Sequence, residues 1–160
     1  MNIPAFLEEQ HCSFAVMPHP TTFSAQRMAH ELHVPGREVA KTVLLRAGGD
    51  NEFIVAVLPA NKTVDLDRMS KLLGSNEMEL ASEADIAAHC PDCEPGALPP
   101  FGSRYGMKTI VDVDLAEDEE IVFEGNTHSE AIRMKFDEFR QLEKPLVATI
   151  GTWRKAPRLR

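Results

Sequence analysis

A lysine within an apolar stretch is the residue of this sequence best placed to do chemistry. Residues 39–45 read Val-Ala-Lys-Thr-Val-Leu-Leu, a composition typical of a strand. With strand periodicity, Lys41 shares a face with Val39, Val43 and Leu45, so its ammonium points to the side that these neighbours bury. Because lysine is rarely buried without a partner, the position predicts a cleft that receives an anion or a polarised oxygen. The alternative is a lysine whose stem lies on the core and whose ammonium reaches water.

The cysteines are the other residues with the chemistry of a site. There are three of them, an odd number that argues against a disulfide framework. Cys90 and Cys93 have the spacing of zinc ligands and follow His89. A structural zinc site needs four ligands, however, and the sequence has no second Cys-x-x-Cys pair. We therefore predict neither a metal site nor a cofactor.

Composition and charge indicate an ordinary globular chain. Of its 160 residues 43% are hydrophobic and 26% charged, which favours one domain, predicted at residues 1–152, followed by a basic tail at 153–160. The net charge of −8 argues against nonspecific binding along nucleic acid, and we expect no DNA partner. A local contact through the tail, with four positive charges and Trp153, stays open. With no signal peptide or membrane span recognised, we expect a cytoplasmic location and no membrane partner.

The elements that must position Lys41 can be read from periodicity and from turn residues. The hairpin formed by residues 39–45 and 53–58 is apolar on both faces, so it belongs at the centre of a sheet covered on two sides. Residues 90–106 contain seven Pro and Gly, which predicts a long loop that packs down through Leu98, Phe101 and Tyr105. Further helices are predicted at 3–10, 25–33, 66–73, 83–88 and 136–142, and further strands at 14–17, 109–113, 121–123, 131–135 and 146–150.

This order of elements predicts an α+β (mixed α/β) domain, with a central mixed, largely antiparallel sheet surrounded by short helices. The strands at 109–113 and 121–123 are expected to flank an acidic turn at 117–120.

Two motifs and their order along the chain resemble the YbaK-like family. That family includes the inserted editing domain of bacterial prolyl-tRNA synthetases and its freestanding relatives. Residues 40–44, Ala-Lys-Thr-Val-Leu, are similar to the lysine strand of the family, and residues 96–102, Gly-Ala-Leu-Pro-Pro-Phe-Gly, are similar to its Gly-x-x-x-Pro loop. A helix at 25–34 followed by Pro35-Gly36 also fits. The resemblance spans nearly the whole chain and implies the YbaK-like fold.

The resemblance also implies a reaction, which is hydrolysis in trans of the ester that joins a wrong amino acid to the 3′ end of a tRNA. The family uses no metal, and a hydroxyl of the terminal ribose helps to activate water. The implied partners are aminoacyl-tRNA and, as a candidate, an aminoacyl-tRNA synthetase. Lys41 is the implied catalytic residue, and the implied substrate-binding residues are Thr42, Gly96, Ala97, Leu98, Pro99, Pro100, Gly102 and His128.

Physical chemistry gives these residues roles. The Lys41 ammonium would hold the phosphate of the terminal adenosine or the ester carbonyl, and would stabilise the negative charge that grows on the carbonyl oxygen. Gly96 has no Cβ, so its backbone can approach a ligand closely, while the prolines stiffen the loop. His128 either orients water or lines the amino-acid pocket; the alternative is a turn histidine that bonds its own backbone.

Substrate choice is where the sequence departs from the family pattern. Alanine-specific members often carry an amide side chain after the lysine, where this chain has Thr42. A pocket discriminates one methylene by only about 1–3 kcal/mol, so alanine, cysteine, serine and threonine all stay open, with alanine on proline tRNA predicted first. A noncatalytic module of the same fold that binds tRNA or a synthetase is the alternative function.

Overall fold

The structure, a computed structural model, describes residues 2–48, 52–75, 77–94 and 96–153. Its helices are α1 (Ile3–Glu9), α2 (Ala25–Glu31), α3 (Leu66–Leu73), α4 (Glu83–His89), α5 (Val113–Ala116) and α6 (Phe136–Glu143). Its strands are β1 (Phe14–Pro18), β2 (Ala40–Ala47), β3 (Glu52–Pro59), β4 (Lys62–Val64), β5 (Met78–Leu80), β6 (Lys108–Asp112), β7 (Glu120–Glu124), β8 (Glu130–Lys135), β9 (Leu146–Ala148) and β10 (Gly151–Trp153).

The β2–β3 hairpin lies inside a five-stranded sheet of order β5-β2-β3-β6-β9. Strands β5, β2 and β3 pair antiparallel, whereas β3–β6 and β6–β9 pair parallel, so this sheet is evenly mixed. Alternate residues of β3 pack into different cores: Val55 and Val57 face the larger cluster with α1 and α6, and Ile54 and Ala56 face the cluster with α3. The predicted α+β fold, with this hairpin at its centre, is confirmed.

A second sheet has three strands. It is antiparallel, with the order β1-β8-β7. A parallel bridge from Val39 to Val122 joins it to the start of β2. Strands β4 and β10 form a separate antiparallel pair.

The order of elements differs from the prediction after β6. Strand β6 lies in the five-stranded sheet and β7 in the three-stranded one, with the helix α5 between them, so the two strands that flank the acidic turn are not paired. Asp112 starts this helix because its Oδ1 accepts a hydrogen bond from the Asp114 amide at 3.0 Å. The short strands β4, β5 and β10 were missed, since each has three residues and depends on its partner strand rather than on a local pattern.

Side-chain caps fix where several helices begin. The side chains of Asn2, Ser24, Asp65 and Ser82 each accept a hydrogen bond from the amide three residues on. Helices α3 and α4 begin where the sequence predicts. Helix α2 ends at Glu31, two residues before the predicted end, and His33 takes a left-handed conformation with φ of 54°.

The described residues from Cys90 to Gly106 are irregular except for a 3-10 turn at Gly102–Tyr105. They pack down as predicted, because Leu98 and Phe101 are buried and the Phe101 ring makes edge contacts with Phe6, Phe123 and Phe139. Trp153 ends β10, while residues 154–160 of the predicted tail and residues 49–51 of the hairpin turn lie outside the described residues. In the described part of the chain, no helix has the length and apolarity needed to cross a bilayer.

Candidate active site

Lys41 lines a cavity of about 260 Å³ where four parts of the fold meet. Strand β2 contributes Lys41 and Thr42, and the loop after α4 contributes Gly96 and Leu98. The start of α2 contributes Ser24, and the end of β7 contributes Glu124. Residues separated by up to 100 positions in sequence therefore surround one small space.

Strand β2 contributes two adjacent polar residues to the lining of this cavity. Lys41 is half-buried, as expected of an ammonium held at a cleft. The adjacent Thr42 has its Oγ1 buried, without a hydrogen-bond partner in the described part of the chain. A buried hydroxyl without a partner costs free energy unless a ligand supplies one, so Thr42 marks a polar position in the wall.

Some of the predicted loop residues line the cavity, and the others are buried and do not line it. Gly96 and Leu98 line the cavity, whereas Ala97, Pro99, Pro100 and Gly102 are buried. At Gly102 an added Cβ would lie 2.5 Å from Thr109 Oγ1, and the Gly102 amide donates to that oxygen at 3.0 Å. Gly102 thus has a structural role in this fold, since it brings the loop against β6.

Gly96 separates the cavity from a neighbouring apolar groove. The groove has a volume of about 410 Å³, and Gly96, Phe23 and His128 are among its lining residues. Gly96 has φ of +84°, and an added Cβ would lie 3.3 Å from Cε1 of His128. The Phe23 ring is 81% exposed and its centroid lies 5.0 Å from that of His128. His128 thus lines the groove on the far side of Gly96 from Lys41.

Hydrogen bonds fix the turn that carries His128. The His128 amide donates to Glu94 Oε2 at 2.9 Å, and the Glu94 amide donates to the Asn126 carbonyl at 2.9 Å. The Thr22 amide donates to the His128 carbonyl at 3.1 Å. Three loops are therefore joined at one point beside Gly96.

Glu124 is a charged residue of the cavity that the sequence reasoning missed. It is 8% exposed, and its Oε2 lies 3.4 Å from Nδ1 of His128. Burial raises the pKa of Glu124 to about 7, although His128 acts to lower it, and Glu94 adds to the rise. The available signal was an acidic residue directly after the apolar run 121–123 and four residues before His128.

Cys90 and Cys93 lie at the start of the loop, and in the described part of the chain they belong to no cluster of metal ligands. Burial raises the pKa of the Cys90 thiol to about 11, and Cys93 Sγ lies 3.0 Å from the Tyr105 hydroxyl. Within the described ranges, no group of three or more His, Cys, Asp or Glu residues is placed to hold a metal ion.

The arrangement can stabilise charge and can bind polar groups. Lys41 offers a cation, Glu124 a carboxylate and Thr42 a hydroxyl, all on the wall of one small cavity. Ser24, which also lines the cavity, accepts the Arg27 amide at 3.1 Å and so caps α2. Such a site suits a reaction in which a substrate oxygen gains negative charge beside the Lys41 ammonium.

The sequence is similar to those of a tRNA deacylase and of a proline–tRNA ligase. The Ser/Thr-tRNA deacylase ProXp-y of Escherichia coli K12 is 24% identical over 144 residues, covering 88% of this chain and 86% of that protein. The proline–tRNA ligase of Xylella fastidiosa is 31% identical over 97 residues, which cover 61% of this chain but 17% of the ligase.

The fold matches a solved structure, and the sequence matches a protein-family model. A solved structure described as a candidate trans-editing enzyme for prolyl tRNA synthetase matches with a TM-score of 0.81 at 19% identity, covering 94% of each chain. At that identity the likeness shows the fold. The model of the aminoacyl-tRNA editing domain matches residues 19–142, well over half of the sequence. The predicted resemblance is therefore confirmed, and the chain belongs to the aminoacyl-tRNA editing domain family.

Proposed function

We propose that this protein is an aminoacyl-tRNA deacylase, which hydrolyses in trans the ester between a small amino acid and the 3′ end of proline tRNA. The observation that carries the proposal is the small cavity whose wall joins Lys41, Thr42 and Gly96. The family supports the reaction class, because its model describes an aminoacyl-tRNA editing domain.

Lys41 is the proposed catalytic residue. Its ammonium binds the ester carbonyl or the phosphate of the terminal adenosine, and it stabilises the negative charge that develops as water attacks. An aminoacyl ester is already activated, so a ribose hydroxyl of the substrate suffices to orient the water. Gly96 gives the substrate a close approach to the loop backbone, and the buried Pro99 and Pro100 keep that backbone rigid.

The amino acid is proposed to be small and, first of all, hydroxylated. A cavity of about 260 Å³ lies below the usual 300–1,000 Å³ of ligand pockets. The buried Thr42 Oγ1 lacks a partner in the described part, and a substrate hydroxyl would supply one. Serine and threonine therefore move ahead of alanine, which the sequence placed first, and of cysteine. The name of the Escherichia coli relative, a Ser/Thr-tRNA deacylase, agrees with this order.

The proposed partners follow from the reaction. The substrate is the aminoacylated 3′ end of a tRNA, and a synthetase that makes such a product is the candidate protein partner. The similarity to a proline–tRNA ligase supports proline tRNA. The cytoplasm, where tRNA is charged, is the proposed location.

The test is amino-acid release from proline tRNA charged separately with serine, threonine, alanine and cysteine. We expect Lys41→Ala to lower release of the preferred amino acid by about 100- to 1,000-fold, the usual cost of removing one electrostatic group from a site of this kind. Lys71→Ala, which changes an exposed lysine of α3, is the matched control and should match the wild type.

Two results would reject the proposal. One is release by Lys41→Ala at the wild-type rate. The other is binding of charged tRNA by the wild type without any release, which would favour the noncatalytic binding module instead.

A further inference from the structure

We propose that Glu124 binds the α-ammonium group of the esterified amino acid, which makes the site selective for esters that carry a free α-amine. The inference rests on the proposed function and adds to it the chemical class of ester that the cavity accepts. Among the described residues that line the cavity, neither the lysine strand nor the Gly96 loop contributes an acidic side chain.

The first step is the charge on the cavity wall. Within the described residues, Glu124 is the one acidic side chain among those that line the cavity, and Lys41 is the one basic side chain. An aminoacyl ester has a matching pair of groups, because a single carbon separates its α-ammonium from its carbonyl. With the carbonyl near the Lys41 ammonium, the cation of the substrate needs an acceptor on the same wall, and Glu124 supplies it.

The second step is the unmet hydrogen-bonding capacity of Glu124. Glu124 is 8% exposed, and its Oε2 has no hydrogen-bond partner of ordinary geometry in the described part of the chain. The His128 ring lies beside it, with Nδ1 3.4 Å from Oε2, beyond the 2.7–3.2 Å of an ordinary N–H···O bond. A buried carboxylate oxygen without a donor is costly, and the packing of β7 does not explain why it is kept.

The third step is the charge state of Glu124. Among the described residues, two titratable groups shift its pKa: His128, from the turn after β7, attracts the negative charge, and Glu94, from the loop before Gly96, repels it. Burial outweighs the attraction, so the free site holds its carboxylate at a cost. A bound ammonium would supply the missing positive charge, and binding would return the pKa of Glu124 toward its ordinary range.

The consequence is discrimination between classes of tRNA ester. An aminoacyl-tRNA keeps its α-ammonium, whereas an N-acylated one, such as a peptidyl-tRNA, has lost that charge. Binding through Glu124 therefore confines hydrolysis to unacylated aminoacyl esters.

The experiment compares two substrates and three proteins. The substrates are the charged proline tRNA that the wild type hydrolyses fastest and its α-hydroxy counterpart, made by deamination, in which a neutral hydroxyl of similar size replaces the ammonium. Rates are divided by the uncatalysed hydrolysis rate of each ester, since the ammonium itself activates the ester. The proteins are the wild type, Glu124→Gln and, as matched control on the same strand, Glu120→Gln, whose carboxylate is exposed.

We expect the wild type to favour the α-amino ester by about 10- to 100-fold in normalised kcat/KM, the usual value of a hydrogen bond to a charged group. Glu124→Gln should lower hydrolysis of the α-amino ester by that factor and leave the α-hydroxy ester unchanged, and Glu120→Gln should keep the wild-type preference. Equal loss on both esters, or no preference in the wild type, would overturn the inference while release of amino acid still supports the deacylase function.

If the wild type hydrolyses none of the charged tRNAs, a binding measurement tests the inference instead. The probe is a 3′-aminoacylamido-3′-deoxyadenosine, in which a stable amide replaces the ester, and its Kd should rise by about tenfold in Glu124→Gln. If the wild type neither hydrolyses the charged tRNAs nor binds this analogue, both the inference and the proposed function are rejected.

Discussion

The shifted pKa of Glu124 couples the site to the stability of the fold. The carboxyl titrates at about 7 in the folded chain, against an ordinary value of 4.5, mainly because it is buried. Between these two values the folded state binds more protons than the unfolded state, so stability falls as the pH rises. Below pH 4.5 Glu124 is neutral in both states and contributes no penalty, and above pH 7 the penalty is complete.

This coupling predicts the behaviour of Glu124→Gln in unfolding. The neutral amide cannot acquire the charge, so the variant gains stability relative to the wild type as the pH rises from 5 to 8. The gain is on the order of a few kcal/mol, because each tenfold change in proton affinity is worth about 1.4 kcal/mol. Urea unfolding curves at several pH values measure it, and the matched Glu120→Gln variant should show no such trend. A pH-independent difference would show that Glu124 is charged in the folded state throughout this range.

At the scale of helices and strands, the sequence is most informative where a local signal defines an element. Asp65 and Gly74 delimit α3 as predicted, because a side-chain cap and a left-handed glycine act within a few residues. The β2–β3 hairpin was predicted from its two apolar faces, which the two cores bury. In contrast, β10 depends on its pairing with β4, about 90 residues earlier, and no local pattern marks such a strand.

The residues that line the cavity also differ in whether a local signal or long-range packing places them there. Lys41, Thr42, Gly96 and Leu98 were predicted from motifs and do line the cavity. Glu124 was missed because its role depends on burial, and burial arises only when the end of β7 packs beside the loop that carries Gly96. His128 was predicted as a site residue, but its place in the groove rather than in the cavity follows from the hydrogen bonds of its turn to Glu94 and Thr22.

The contact between the Gly96 loop and the turn after β7 gives a prediction at this scale. In Gly96→Ala a Cβ lies 3.3 Å from Cε1 of His128, on a residue with φ of +84°. We expect about 1 kcal/mol of backbone strain and, because the ring or the loop must shift, a fall in kcat/KM of about tenfold for the preferred charged tRNA.

Gly74→Ala is the control for that variant. Its φ is +66°, but an added Cβ meets nothing within 4 Å, so the substitution imposes the strain without the contact. It should lose similar stability and keep its activity. Equal activities of the two variants would mean that the contact of Gly96 with His128 does not position the site.

For the molecule as a whole, a buried ion cluster connects the last strand to the central sheet. Lys62 of β4 is 2% exposed and bonds Asp112 at the end of β6 at 2.9 Å, and it also pairs with Asp114. Asp112 Oδ2 accepts the amides of Ile150 and Gly151, both at 3.1 Å. Burial acts to lower the pKa of Lys62, but its hydrogen bonds to Asp114 and Asp112 together raise the pKa by more. The net pKa lies above the ordinary value, so the ammonium stays charged.

The geometry of this cluster predicts strong coupling between Lys62 and Asp112. Removing one partner leaves the other charge buried with only part of its compensation, so Lys62→Met should cost about 3–5 kcal/mol of unfolding free energy. Asp112→Asn should cost a similar amount, because Ile150 and Gly151 also lose part of their acceptor. The double variant should cost less than the sum of the two single variants, by at least about 1.5 kcal/mol.

Urea unfolding followed by far-ultraviolet circular dichroism measures this double-mutant cycle without relying on Trp153, whose ring lies 4.6 Å from Lys62 Nζ. The exposed pair of Arg133 and Glu120, 3.5 Å apart on β8 and β7, is the matched control, and its coupling should not exceed about 0.5 kcal/mol. If the coupling between Lys62 and Asp112 were as weak as that of the control pair, water would have to reach the cluster. The connection of β4 and β10 to the central sheet would then depend on apolar packing, with Leu58 Cδ1 only 3.0 Å from where a Gly151 Cβ would lie.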